Sequence, residues 1–488
     1  MANKKSLKIN MALNLVKTLL GFVFPLITFP YVTRILGPEG IGKVNYAQSI
    51  IGYFSFVSCF GMSTYAIREI AKVRDSQYQV SKLSVELLLA NLITTFLAYV
   101  LFFIFLEFSP SLTSYRPLLY ICSLTMLFTT IGMDWLFIAE EDFLYITIRS
   151  VTIQICSLFL LFILVKDAND YLSYAILLVL STVGANVFNL FYSRKYISLP
   201  KFKDLQIFRH YKFIYILFIT ATLAGLHTVV DRSMLGYLID DYAVGIYTTG
   251  NKISGILISI ICAVSIILFP RFSYLIRQGD ENGWKCLLDK MIHFLLMMTF
   301  PFMIGLIVLR KQLILIICGD GYLPSAPVLA VMSFMIPVMC FTNLLGNLLF
   351  MSLNKERWTL YSVIIGAIFN VILNLLFIPS YNAVGAAVAA VVSETIVLSF
   401  QMYLLNRMIS ISQYFTILAK YLIYSLVMGG FMYGMATIMV SNIIADTIVL
   451  TLLGIMVYVG LLLYEKNSLV YETLNTLKNK VSLFIDNL

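Results

Sequence analysis

Five ionisable side chains stand where their neighbours are apolar. Lys17 lies in MALNLVKTLLGFVF, Asp231, Arg232 and Lys252 in HTVVDRSMLGYLIDDYAVGIYTTGNKISG, and Glu394 in AVVSETIVL. A charge at the centre of a membrane helix costs about 2.5–3.5 kcal/mol on insertion scales, so such a group faces a cavity or a partner and is a functional candidate by default. The three cations, Lys17, Arg232 and Lys252, are the groups that could neutralise an anion. The two acids, Asp231 and Glu394, could carry a coupling proton or sodium ion. His227 precedes Asp231 by four residues and shares its helix face.

Polar stripes extend these positions. Asn10, Asn14, Lys17 and Gly21 follow at spacings of 4, 3 and 4, which keeps them on one helix face. Lys17 is roughly 12 Å deep at 1.5 Å per residue. That face either lines a cavity, or the long Lys side chain snorkels back to the surface. Asn251 adjoins Lys252, and the pairs Asn343/Asn347 and Asn370/Asn374 are amides at i, i+4. Such amides either bind sugar hydroxyls or bond neighbouring helices to one another.

The elements that must hold these residues follow from composition. The 488 residues are 60% hydrophobic and 12% charged, against about 25% charged in soluble domains. A cytosolic enzyme, a secreted disulfide scaffold and a disordered chain are excluded. The seven cysteines show no CxxC spacing and read as small apolar residues. The apolar stretch near the start is too long for a signal peptide and reads as a first retained helix. Apolar runs of about 20 residues, enough for one crossing, predict an all-α polytopic membrane protein of about fourteen transmembrane helices.

Lys and Arg give the orientation, because cytoplasmic loops carry the excess of positive charge. With both termini cytoplasmic, 25 of the 34 basic residues fall on the inner side, six on the outer and three within helices. The net charge of +9 is therefore a topology signal, and nothing in it points to nucleic acid. Asp134 and Arg149 come close enough to bond across the hairpin between spans 4 and 5. The longest connection, residues 193–212, is basic and too short for a catalytic domain. Gly37-Pro38-Glu39-Gly40-Ile41-Gly42-Lys43 imitates a phosphate loop, but Val44 replaces the hydroxyl residue and the segment lies between two apolar spans. It reads as a turn and a helix start, with no nucleotide. His210, His227 and His293 are too dispersed for a metal cluster.

An internal duplication organises the spans. LGPEGIGKVNYAQSIIG (36–52) resembles LGYLIDDYAVGIYTTGNKISG (235–255), which aligns Gly42 with Gly245 at an offset of 203 and Glu86 with Asp289. Six helices are an even number, so the two copies share one orientation and form a parallel repeat. The predicted organisation is a six-helix bundle over 1–212, a second over 213–404, and two extra helices with a tail over 405–488. Gly430 and Gly434 form a GxxxG in span 13, a packing signal.

The blocks LITFPYVTRILGPEGIGKVNYAQSIIGYF (26–54), STYAIREIAKVRD (63–75), GMDWLFIAEEDFLYITIRS (132–150), DRSMLGYLIDDYAVGIYTTGNKISGI (231–256) and YNAVGAAVAAVVSETI (381–396) resemble polysaccharide biosynthesis flippases of the O-antigen or capsule type (Wzx-type), within the multidrug, oligosaccharidyl-lipid and polysaccharide exporter superfamily. The resemblance implies two parallel-repeat six-helix bundles around a central cavity with two extra C-terminal helices. It also implies translocation of an undecaprenyl-pyrophosphate-linked oligosaccharide from the inner to the outer leaflet of a bacterial cytoplasmic membrane by alternating access.

On that expectation the chain is a transporter and not an enzyme. Lys17, Arg232 and Lys252 meet the pyrophosphate, and Asn10, Asn14, His227, Asn251, Asn343, Asn347, Asn370 and Asn374 supply polar contacts. No cofactor is expected. A proton or sodium gradient, or consumption of product outside, drives the step, and the expected partners are the lipid-linked substrate, membrane lipid and other polysaccharide assembly proteins. Two other classes compete with this reading. A cation-coupled drug exporter of the same superfamily would have a more apolar cavity around a few carboxylates. A membrane polysaccharide polymerase would normally carry a sizeable catalytic loop, and no loop of that size is present.

Overall fold

A computed structural model describes residues 7–198, 204–410, 412–438 and 442–466; the side chains of residues 7–20, of His227 and of some other helical positions lie outside that description. The candidates Asn10, Asn14, Lys17 and His227 are among these. The described residues are helical and include no strand, as expected where lipid offers the backbone no hydrogen-bond partner and each segment must satisfy its own. Among the described residues, ten helices are long and apolar enough to cross a membrane, eleven if the bent pair Ser325–Ser333 and Met335–Phe350 forms one span.

Two of these are too long for a single crossing. Helix α1 (Leu7–Cys59, 53 residues) would run about 80 Å at 1.5 Å per residue, against a hydrocarbon core of about 30 Å. It breaks at Gly37, whose φ of 65° and ψ of 178° are non-helical. Glycine reaches that φ without a Cβ penalty, and Pro38 then starts the next helical stretch, where its missing N–H costs nothing. The segment imitating a phosphate loop is this turn and helix start. A second break, at Asn382 (φ 50°, ψ −130°), interrupts the 51-residue Glu356–Asn406. Both breaks fall where short polar interruptions predict a change of span.

The chain packs as two compact units, Met1–Thr248 with Asn374–Ala386, and Thr249–Leu373 with Ala387–Leu488. The first contains α1, α2 (Met62–Val73), α3 (Gln77–Glu107), α4 (Arg116–Gly132), α5 (Asp134–Ala139), α6 (Phe143–Leu164), α7 (Tyr171–Val179), α8 (Asn186–Tyr192), α9 (Tyr211–Leu238) and the start of α10 (Asp241–Arg277). Helix α9 packs along α1 and α2. Met62, Ile70, Leu87, Trp135, Phe137, Ile146 and Ile214 form a buried cluster. Beside it, the fully buried Glu86 accepts from Gln206 N (2.8 Å), Arg209 Nη2 (2.9 Å) and the His210 ring (2.9 Å). These contacts fix the connection that leads into α9.

The second unit contains the rest of α10, α11 (Glu281–Ile317), α12 (Ser325–Ser333), α13 (Met335–Thr342), most of α14 (Glu356–Asn406), α15 (Ser412–Ala436) and α16 (Ile443–Tyr464). Asp289, aligned with Glu86 by the repeat offset, accepts from Tyr414 Oη at the start of α15. Tyr458 Oη on α16 donates to the Met297 carbonyl (2.8 Å), and Lys420 on α15 pairs with Glu465 just after α16. The GxxxG glycines make no close contact: a Cβ on Gly430 or Gly434 would meet open space. Helix α15 instead packs through Gly429, against Ile304 of α11.

Candidate functional site

Asp231 is the best-defined candidate. It lies on α9 in the first unit and is 2% exposed. Its Oδ2 accepts from Tyr247 Oη at 2.6 Å, and its Oδ1 from Asn374 Nδ2 at 2.7 Å. Tyr247, on α10, is 2% exposed, and Asn374, on α14, is fully buried. Three helices thus converge on one carboxylate. Charge-assisted hydrogen bonds of this kind are stronger than neutral ones, and they explain how an acid is tolerated in an apolar helix.

Arg232, the next residue, is half-buried, and its Nε has no hydrogen-bond partner among the described residues. Tyr53 Oη and Ser233 Oγ bond one residue further along at 2.6 Å. In the second unit, Asn251, Lys252 and Glu394 are each half-buried. Asn370 is buried and donates to Ser393 Oγ at 3.4 Å. Asn370 thus bonds across the Asn382 break to the second stretch of α14, while Asn374 bonds the Asp231 carboxylate on α9. Asn343 and Asn347 lie in a π-helical stretch, Asn343–Phe350. Its wider turn takes residues four apart out of line; Asn343 is half-buried and Asn347 exposed.

Sequence reasoning did not connect Tyr247 with Asp231, although the 16-residue separation across the α9–α10 turn was a usable signal. Nor did it find the contact between the Pro38–Gly42 and Asp241–Gly245 segments. In the first unit a Cβ on Gly42 would collide with the Asp241 carbonyl, and one on Gly245 with the Pro38 carbonyl. Tyr115 Oη closes over the same turn by donating to Asp241 Oδ2 at 2.5 Å, and its ring packs edge-on against Tyr46 at 5.3 Å.

Further along the first unit, Arg149 Nη1 and Nη2 each donate to Asp134 Oδ1 at 3.1 Å, the hairpin pair expected from sequence. Asn189 Nδ2 adds a third bond to that oxygen at 2.7 Å. Burial pushes the His210 imidazole below its ordinary value, with Glu86 pulling the other way. No group of three His, Cys, Asp or Glu side chains suited to a metal occurs among the described residues.

The family pattern described as "Polysaccharide biosynthesis protein" matches residues 7–276, more than half of the chain. The chain belongs to that family. A MatE pattern also matches residues 217–376. Among curated relatives, a putative O-antigen transporter of Shigella dysenteriae is 22% identical over 78% of this chain and 96% of its own length. The one from Escherichia coli (strain K12) is 21% identical over 82% and 97%. Among solved structures, the lipid II flippase MurJ in an inward closed conformation superposes with a TM-score of 0.75 at 17% identity, covering 94% of this chain and 100% of that one. An inward-facing multidrug resistance MATE family transporter gives 0.60 at 13% identity, covering 79% and 93%. With this family goes a multi-pass, all-helical membrane transporter of the polysaccharide flippase type, in the multidrug, oligosaccharidyl-lipid and polysaccharide exporter superfamily, and not an enzyme.

Proposed function

We propose that the protein moves an undecaprenyl-pyrophosphate-linked oligosaccharide from the inner to the outer leaflet of a bacterial cytoplasmic membrane by alternating access, with both termini cytoplasmic. The observation that carries this reading is Arg232. It is a half-buried guanidinium on α9, with no partner for its Nε among the described residues, beside an acid that Tyr247 and Asn374 already bond. Such a cation suits an anionic lipid head better than a structural ion pair. Lys17 and Lys252 are assigned to the same pyrophosphate. Asn10, Asn14, His227, Asn251, Asn343 and Asn347 are assigned to the sugars, and Asn370 and Asn374 to positioning the helices.

Asp231, ringed by a hydroxyl and an amide, is assigned the coupling proton or sodium ion, with Glu394 as the other acid available for it. The relatives named as O-antigen transporters match almost end to end and support a glycolipid cargo. The MatE match over residues 217–376 favours a second reading, cation-coupled export of a drug or other small molecule.

One experiment separates the two. Purified protein in vesicles is supplied with a defined undecaprenyl-pyrophosphate oligosaccharide under an imposed proton or sodium gradient. Translocation of the glycolipid that falls at least tenfold in Arg232→Ala supports the proposal. Cation-coupled export of a small drug-like molecule with no glycolipid movement replaces it with the second reading.

A further inference from the structure

Between the start of α6 and the end of α8, in the first unit, lies a cavity of about 510 Å³, within the roughly 300–1,000 Å³ of ordinary ligand pockets. The proposed transport reaction uses none of its residues. One end is polar. Lys195 is 58% exposed and lies 5.1 Å from the ring centre of Tyr192. Deeper in, the Arg149 side chain is 7% exposed. Its Nε, and the hydroxyl of Tyr145, have no hydrogen-bond partner among the described residues. The ring of Tyr145 is held by stacking on Tyr192 at 3.7 Å.

The other end is apolar, walled by Leu144, Ile148, Ile153 and Phe188. Ile148 is 58% and Phe188 55% exposed, and on a membrane-spanning helix such an opening faces lipid. Two acids also lie at the polar end, each already bonded; Lys195 Nζ stands 3.9 Å from Asp142 Oδ2 and donates to Tyr192 Oη at 3.0 Å, so this cation is shared with the wall of the cavity. Asp134 accepts from Arg149 and Asn189, and Asp142 from Tyr192 (2.9 Å) and Tyr196 (2.8 Å). In sequence, residues 193–212 carry six Lys or Arg against a single acid, Asp204. Basic pockets between membrane helices take anionic head groups, and the exposed Lys195 with the unbonded donors Arg149 Nε and Tyr145 Oη supplies that chemistry.

We propose that this cavity holds one anionic phospholipid, with its phosphate between Lys195, Tyr145 and Arg149 and an acyl chain along Ile148 and Phe188. The lipid would brace α6 against α8 from outside the transport path, so the site stands or falls independently of the substrate reading.

Native mass spectrometry of the full-length protein, titrated with phosphatidylglycerol or with phosphatidylcholine, tests this. Wild type should retain one phosphatidylglycerol at about tenfold lower concentration than phosphatidylcholine. Lys195→Glu should abolish that preference. Ile148→Trp, which fills the slot and leaves the charges in place, should lower retention of both lipids. Lys285→Glu, at a half-buried position on α11 in the second unit, should alter neither. Should Lys195→Glu fail to fold, Ile148→Trp decides alone. Equal retention of the two lipids by wild type, unchanged retention in Ile148→Trp, or displacement of phosphatidylglycerol by equimolar undecaprenyl phosphate would overturn the proposal. The last result would assign the cavity to the carrier lipid instead.

Discussion

Gly42 and Gly245 face each other's helix starts reciprocally: Gly42 lies against the carbonyl of Asp241, and Gly245 against the carbonyl of Pro38. One offset of 203 positions relates both partners, Gly42 to Gly245 and Pro38 to Asp241. The contact is therefore that of a local two-fold axis, as in an isologous interface where i meets j and j meets i. Each obstructing atom is backbone, which cannot rotate away. Gly42→Ala and Gly245→Ala should each destabilise by about 1–3 kcal/mol, the range for overpacking. A thermal denaturation series in one detergent checks this, with Gly255→Ala, which meets open space, as the silent control.

The Asp231 cluster should respond differently to two substitutions. Tyr247→Phe removes one charge-assisted hydrogen bond at nearly constant volume and should cost about 1.5–3 kcal/mol. Asp231→Asn keeps the shape but removes the charge. If that acid binds the coupling ion, the variant should remain folded while transport loses its dependence on the imposed gradient. Gradient-dependent transport retained in Asp231→Asn would move the coupling role to Glu394.

The Arg149–Asp134 pair should be asymmetric. Asp134→Ala strands a guanidinium that is 7% exposed, whereas Arg149→Met leaves a carboxylate that is 44% exposed and still bonded by Asn189. Stranding a buried charge costs about 3–5 kcal/mol. Asp134→Ala should therefore lower the denaturation midpoint more than Arg149→Met does, and equal shifts would show that packing, not charge, dominates there.

His210 gives a pH signature. Its neighbours are Tyr65, whose hydroxyl bonds Nδ1 at 2.9 Å, and the charged Glu86 and Arg209. Burial depresses its pKa from 6.5, so below that value the unfolded chain binds more protons than the folded one. The contribution is complete above about pH 6.5 and declines as the pH falls through the depressed value. Midpoints measured from pH 8 to pH 5 should drop more in wild type than in His210→Gln. Parallel curves would place the titration elsewhere.

Much of this architecture is legible in the chain. Membrane helices announce themselves because lipid leaves few alternatives to a long apolar run, and Gly37-Pro38 marks the first break by the backbone angle that glycine allows. The Arg149–Asp134 pair is legible because a short hairpin brings nearby residues together. What escapes is contact at long range. Asn374 stands out as an amide among apolar residues, yet nothing local to it indicates Asp231, 143 residues away. The π-helical stretch at Asn343 escapes as well, since spacings of four and five draw on the same run of Asn, Leu and Gly. Lys17, Asn10, Asn14 and His227 remain expectations from sequence, outside the described side chains.

The carboxylates Glu86 and Asp289 each secure the segment that opens the next group of helices, α9 in one case and α15 in the other. Tyr211 at the head of α9 and Ser412 at the head of α15 are separated by nearly the same interval as Leu7 and Tyr211, and Pro38, Asp241 and Ile443 are likewise almost evenly spaced. The α15–α16 hairpin is thus in step with the opening helices of both repeats, the first two beats of the same measure sounded a third time. What looks like an appendage is held by the joint that elsewhere hands the chain from one repeat to the next.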